Sequence, residues 1–171
     1  MFHRNIKLIL TGLIFIAAIW QFTESNIGNG IFLILLSLIP LFLYFKNEYI
    51  LMAFLQLRKQ NFEGAKKWLA KIKNPETALV QKQQGYYNYL QGLMLSQTNL
   101  IQAEKYFKKA IELGLNMDMD LAVAKLNLAG VAMSRRRKLE ATNLINEAKK
   151  LDKQGMLNDQ IKMMKEQMKK I

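Results

Sequence analysis

The chain has 171 residues and a formal net charge of +12, from 25 Lys and Arg against 13 Asp and Glu, room for one ordinary domain and a small appendage. It holds no cysteine and a single histidine, His3, which excludes disulfides, thiolate metal sites, a nucleophile–histidine pair away from the N-terminus and an H-E-x-x-H zinc site. Residues 1–50 carry only three basic and two acidic side chains, so nearly all of the positive excess lies in the remainder.

Residues 6–22 are apolar apart from Lys7, Thr11 and Gln21, and residues 31–45 contain no charge. A helix needs roughly 20 residues to cross a hydrocarbon core of about 30 Å. The two stretches meet this as spans over about residues 5–23 and 26–45. Arg4 and Lys7 would also suit the basic start of a signal peptide, but no A-x-A-like site follows Trp20 and a second apolar stretch follows at once. A retained hairpin is therefore expected. The loop between, residues 23–30, has no Lys or Arg, whereas Arg4, Lys7, Lys46, Arg58 and Lys59 flank the spans. That asymmetry predicts a multi-pass protein of a bacterial-type inner membrane with both termini cytoplasmic. Trp20 and Phe22 are expected at the outer interface, Tyr44 and Tyr49 at the inner one. Pro40 removes one hydrogen bond from the second span, as a simple kink or as a hinge.

From Asn47 onward one pattern recurs every 38 residues. Ala65, Ala103 and Ala141 each begin a small-to-large run, as Ala65/Leu69/Ile72, Ala103/Phe107/Ala110 and Ala141/Ile145/Ala148. The stretch before each run keeps the interval in Met52/Leu90/Leu128, Leu55/Leu93/Val131 and Leu57/Leu95/Met133. Such periods mark helical hairpins that stack to bury a shared core. Expected pairs are Asn47–Gln60 with Phe62–Lys73, Pro75 or Thr77–Ser96 with Leu100–Leu113, and Asp120–Arg135 with Lys138–Leu151. Asn61, Asn99 and the basic turn after Ser134 separate the helices within pairs, and Gly114 and Gly155 follow helix ends. Asn47 either caps a new helix or the second span runs on into it.

These residues resemble the tetratricopeptide repeat family, in which a small residue opens the second helix, with a large apolar one four later and a small one seven later. Ala103, Phe107 and Ala110 match fully, and the other two copies closely. Phe62, Leu100 and Lys138 stand at the family's aromatic position, so copy three departs there. Gly92 and Gly130 lie one residue from the family's glycine, and the interval exceeds the family's by four residues, placed around Asn74–Pro75 and Asn116–Asp120. The resemblance covers about 100 residues and implies a three-repeat helical solenoid (47–155); with the apolar stretches and the C-terminal stripe, the expected fold is all-α, a two-helix transmembrane hairpin (residues 1–46), that solenoid and an amphipathic capping helix (156–171). The last carries Leu157, Ile161, Met164, Met168 and Ile171 on one stripe, which would serve equally in form as a coiled-coil or docking helix.

The resemblance further implies that the first helices line a groove, at Ile50, Phe54, Leu57, Asn88, Leu95, Leu126 and Met133. Several of these suit interhelix core as well. A groove of this kind fits a helix or extended peptide of a protein partner. Asp118 and Asp120 read as caps of the following helix rather than as an acid–base pair. Lys66, Lys67, Lys71, Lys105, Lys108, Lys109, Lys149 and Lys150 read as a solvated outer face, with attraction to anionic phospholipid as the sharper alternative. Arg135, Arg136, Arg137 and Lys138 form the densest basic cluster. If the first repeat helix points away from the bilayer, this turn faces an acidic protein or RNA. Nucleic acid is the weaker of these, because Tyr86, Tyr87 and Tyr89 read first as repeat packing.

No cofactor is expected and no enzymatic motif is present. The leading expectation is a membrane-anchored adaptor that binds a protein partner. The alternative is an accessory subunit of a translocon or transporter docked through its hairpin, where Gly12, Ala17, Ala18 and Ser37 offer small surfaces.

Overall fold

The computed structural model describes residues 4–45 and 47–170; His3, Lys46 and Ile171 lie outside the described residues. Among these the chain is all-helical, with ten helices and no strand. They are α1 (Arg4–Thr23), α2 (Ile27–Phe45), α3 (Glu48–Arg58), α4 (Phe62–Leu69), α5 (Pro75–Ala78), α6 (Gln81–Leu95), α7 (Leu100–Leu113), α8 (Asp118–Ser134), α9 (Lys138–Leu151) and α10 (Asn158–Met168). Two compact units form, Met1–Leu51 and Met52–Ile171. The division falls inside α3, a few residues after the boundary expected at residue 46.

In the first unit α1 packs along α2. Their segments Ile6–Thr23 and Ile27–Tyr44 are long and apolar enough to cross a membrane. The connection is shorter than the expected loop of residues 23–30: Ser25 takes a left-handed conformation, and the Asn26 amide donates to the Gln21 carbonyl at 2.9 Å. The glycines after it belong to α2. Gly30 is buried under the Phe22 ring, whose carbons lie 2.7–2.9 Å from where a Cβ would stand, so a side chain there would push the helices apart. Ala18 and Ser37 are buried within the hairpin, whereas Leu13, Ile16, Phe32 and Leu35 point outward.

The end of α2 is fastened electrostatically. Lys7 Nζ donates to the carbonyl of Leu43, one of the four left without a helical partner, at 3.1 Å, and also pairs with Glu48 in the first turn of α3. Asn47 Oδ1 accepts from the amides of Tyr49 (2.9 Å) and Ile50 (3.3 Å). Helix α3 is therefore a newly capped helix rather than the prolongation of α2.

In the second unit the 38-residue interval governs both burial and backbone. Ala65, Ala103 and Ala141 are fully enclosed, as are Leu69, Phe107 and Ile145. Each second helix opens with an equivalent bond, from Ala65, Ala103 and Ala141 to the carbonyls of Asn61, Asn99 and Arg137. The turns α3–α4 and α8–α9 share one backbone pattern. Gln60 and Arg136 are left-handed, and Asn61→Gln56 and Arg137→Ala132 bonds, both 2.9 Å, close each turn, the Schellman pattern that satisfies the last carbonyls of a helix. Asn61 and Asn99 cap α4 and α7 through their side chains.

The expected helix from Pro75 or Thr77 to Ser96 is broken. Leu79 and Val80 are extended, because the Leu79 side chain is buried and the backbone bends to place it. This leaves α5 as a single turn. Helix α8 begins at Asp118, and its N-cap, Met117, makes no side-chain bond, so Asp118 and Asp120 do not cap it. Helix α10 packs on α8 and α9 and sends Ile161, Met164 and Met168 into the core that holds Leu126, Met133 and Ile145.

Candidate binding cleft

Of the seven residues expected to line one groove, Ile50 belongs to the first unit, and the six in the second unit do not share one cleft. Leu126 and Met133 lie in the core shared by α8, α9 and α10, because α10 covers the face of α8 that a solenoid would leave open. Ile50 is buried, and Phe54 and Leu57 are half-buried on α3. Leu95 lines a cleft of about 430 Å³ between α4 and α6 with Phe62 and Met94. Only Asn88 lies in a second cleft, of about 410 Å³, between α5, α6 and α7.

Two stripes build that cleft. Gln84, Tyr87 and Asn88 fall on one face of α6, and Gln102, Lys105, Tyr106 and Lys109 on one face of α7, each at the i, i+3, i+4 spacing that aligns side chains along a helix. The opposite faces are consumed by packing: Tyr89 meets Phe107 edge to face at 6.3 Å. Gly92 lies so close to the Phe107 ring that a Cβ would stand 2.9 Å from it. Helix α5 closes one end. Gln84 Nε2 donates to the carbonyls of Glu76 (2.8 Å) and Leu79 (3.0 Å), and Lys109 Nζ pairs with Glu76 at 3.1 Å. Buried Asn88 donates to the Gln84 carbonyl at 2.7 Å, and Gln91 donates to the Tyr87 hydroxyl at 3.1 Å. The cleft thus has an amide and two phenols at its base and two lysines at its rim, groups able to hydrogen-bond an extended backbone and hold an acidic side chain. Its volume lies in the range of small-ligand and side-chain pockets.

Two of the three tyrosines of α6, Tyr86 and Tyr89, are used between helices, whereas Tyr87 lines the cleft. Tyr89 is buried, and Tyr86 donates to Asp120 Oδ2 at 2.8 Å. Burial first, and then the hydrogen bond to and charge of Asp120, push the Tyr86 hydroxyl up to about 12. The basic turn is partly absorbed. Arg135 reaches Glu104 Oε2 on α7 at 2.6 Å and Arg137 reaches Glu140 at 3.4 Å. The bond from Lys108, with the charges of Lys108, Arg135 and Arg137, holds Glu104 below the usual carboxylate range against the opposing effect of burial. Arg136 and Lys138 make no ion pair among the described residues. The eight lysines of the second helices are all exposed, and Lys71 stacks its ammonium 3.7 Å from the Trp68 ring centroid. In the hairpin, Ala18 and Ser37 are used between α1 and α2, while Gly12 faces open space.

Among the described residues no three His, Asp or Glu side chains gather in a way that could hold a metal ion. Comparison with protein-family profiles, with curated proteins and with solved structures finds no match for this chain.

Proposed function

We propose that the chain is a membrane-anchored adaptor, in which a two-span hairpin with cytoplasmic termini displays a three-repeat, tetratricopeptide-like solenoid that holds a segment of a protein partner. The observation that carries this reading is the cleft between α6 and α7, where two aligned stripes of hydrogen-bonding side chains face a space that the core does not use. Anchoring is supported by α1 and α2, whose apolar side chains point outward along their whole length, a surface far beyond the few hundred Å² that soluble monomers tolerate. The repeat reading is supported by the equivalent turns at Gln60 and Arg136 and by the enclosed alanines at one interval. The adaptor carries no chemistry of its own and works by holding its partner at the membrane.

A photo-crosslinking residue placed at Gln102 or Tyr106 of the full-length chain in native membranes tests this. Discrete protein adducts are expected there and not from Asn146, which is exposed on α9. Equal labelling from all three positions, or none, sinks the reading. A reporter fused to the C-terminus is expected to be active only in a cytoplasmic form.

A further inference from the structure

The turns that join the helices of each pair lie in sequence along one edge of the second unit. Arg135 at the α8–α9 turn reaches Glu104 at the start of α7. Phe62 and Glu63 at the start of α4 share a cleft with Gln97 and Thr98 of the α6–α7 turn. Large apolar side chains stand exposed on this edge. Leu139 is 76% and Ile101 72% exposed, one repeat interval apart, and Phe62 and Leu100, also one interval apart, are 45% and 42% exposed. Ile101 and Leu139 have no place in the core, because the enclosed Ala103 and Ala141 two residues later turn the opposite face of each helix inward. Interleaved with them are Arg58, Lys59, Arg136 and Lys138, all exposed and without an ion pair among the described residues. The acids of the edge are few: Glu104 and Glu140 are paired to its cations, which leaves Glu63.

We infer that this turn edge is a second membrane contact, made with anionic phospholipid. Exposed aliphatic and aromatic side chains alternating with unpaired cations are what an interfacial surface requires, since the former enter the headgroup boundary and the latter meet lipid phosphate. The chain also supplies its own lipid surface. Helix α3, 11 residues long and hence roughly 16 Å, is all that separates the capped break at Asn47 from the turn at Lys59. A tethered surface meets its target at high effective concentration, so weak contacts suffice.

The inference rests on the membrane anchoring proposed above, and one experiment separates the two. The natural chain has no cysteine, so Leu139→Cys, Ile101→Cys and, as a control, Asn146→Cys place single fluorophores on the full-length protein. These are reconstituted in phosphatidylcholine vesicles with or without phosphatidylglycerol, with nitroxide-headgroup lipid as quencher. Flotation with both vesicle types reports the anchor. Quenching at 139 and 101 above that at 146 in anionic vesicles, lost at high salt, is the expected result. Replacing Arg136 and Lys138 by serine should weaken the contact roughly fivefold per cation removed. Flotation with quenching no greater than the control overturns this inference and leaves the anchor standing. That outcome holds even if native membranes shield the labels, since the edge would then serve an acidic protein. Failure to float overturns both.

Discussion

The Tyr86 hydroxyl donates to Asp120 Oδ2 at 2.8 Å, joining α6 to α8 past the intervening α7. Asp120, an apparent helix cap in the sequence, is instead a buried acceptor. Because the folded pKa of Tyr86 is raised to about 12 from about 10, its proton is held more tightly in the fold. The stability this contributes is complete below pH 10 and is lost as pH rises from about 10 to 12. Tyr89, more deeply buried, is pushed the same way, first by burial and then by the charges of Asp120 and Tyr86. Chemical denaturation should show stability falling above pH 10. Tyr86→Phe should start about 1–3 kcal/mol lower at neutral pH, from the lost bond to a carboxylate, and fall less steeply. An unchanged slope would assign the titration elsewhere.

Three helical glycines should respond to alanine in different directions. Exposed helical Gly→Ala changes stabilise by about 0.5–1 kcal/mol, and Gly130, with only Met164 Cε at 3.9 Å from a Cβ, should gain that. At Gly92 the Cβ meets the ring of Phe107, which is fully enclosed and cannot give way, so about 1–3 kcal/mol should be lost to overpacking. At Gly85 the obstacle is the backbone carbonyl of Gly114, and the loss should be the largest of the three. Thermal melts of the three variants give the order directly; a stabilised Gly92→Ala would contradict the packing described.

What was legible in the sequence follows from this packing. A small residue recurring at Ala65, Ala103 and Ala141 is readable because close helix approach demands it, and all three proved fully enclosed. Asn61 and Asn99 were readable as breaks between helices, and the structure adds that each caps the helix that follows. The break at Leu79 was not, since no glycine or proline stands there and only burial of the Leu79 side chain bends the chain. For Leu126 and Met133 the sequence left groove and interhelix core both open, and only the packing of α10 over them puts them in the core. The cleft escaped notice for a related reason. Gln102, Lys105, Tyr106 and Lys109 form a stripe as regular as the apolar one, but polar stripes look like ordinary solvated faces until a second stripe is seen opposite.

Lys7 and Glu48 should behave as a unit. Their side chains are 12% and 26% exposed, so removing one leaves the other charge poorly solvated. Lys7→Met should cost about 3 kcal/mol, while the double variant with Glu48→Leu should recover most of it. Denaturant unfolding in detergent micelles, arranged as a double-mutant cycle, measures the coupling. Additive effects would mean that the pair is not formed in solution.

Asp152 should control whether α10 stays closed. Its carboxylate accepts from the amides of Met156 (3.0 Å) and Leu157 (2.7 Å), and Gly155 takes the left-handed conformation that turns the chain between them. Asp152→Ala removes both bonds to a charged acceptor, a loss of about 2–3 kcal/mol. The methionines of α10 report it: Met164 and Met168 are buried, whereas Met163 is 57% exposed. Under mild peroxide, Met163 should oxidise at one rate in both proteins. Met164 and Met168 should be protected in the natural chain and reactive in Asp152→Ala, as mass spectrometry of the peptides would show. If their oxidation is as slow in the variant as in the parent, α10 is held by its apolar face alone and the carboxylate only shapes the turn.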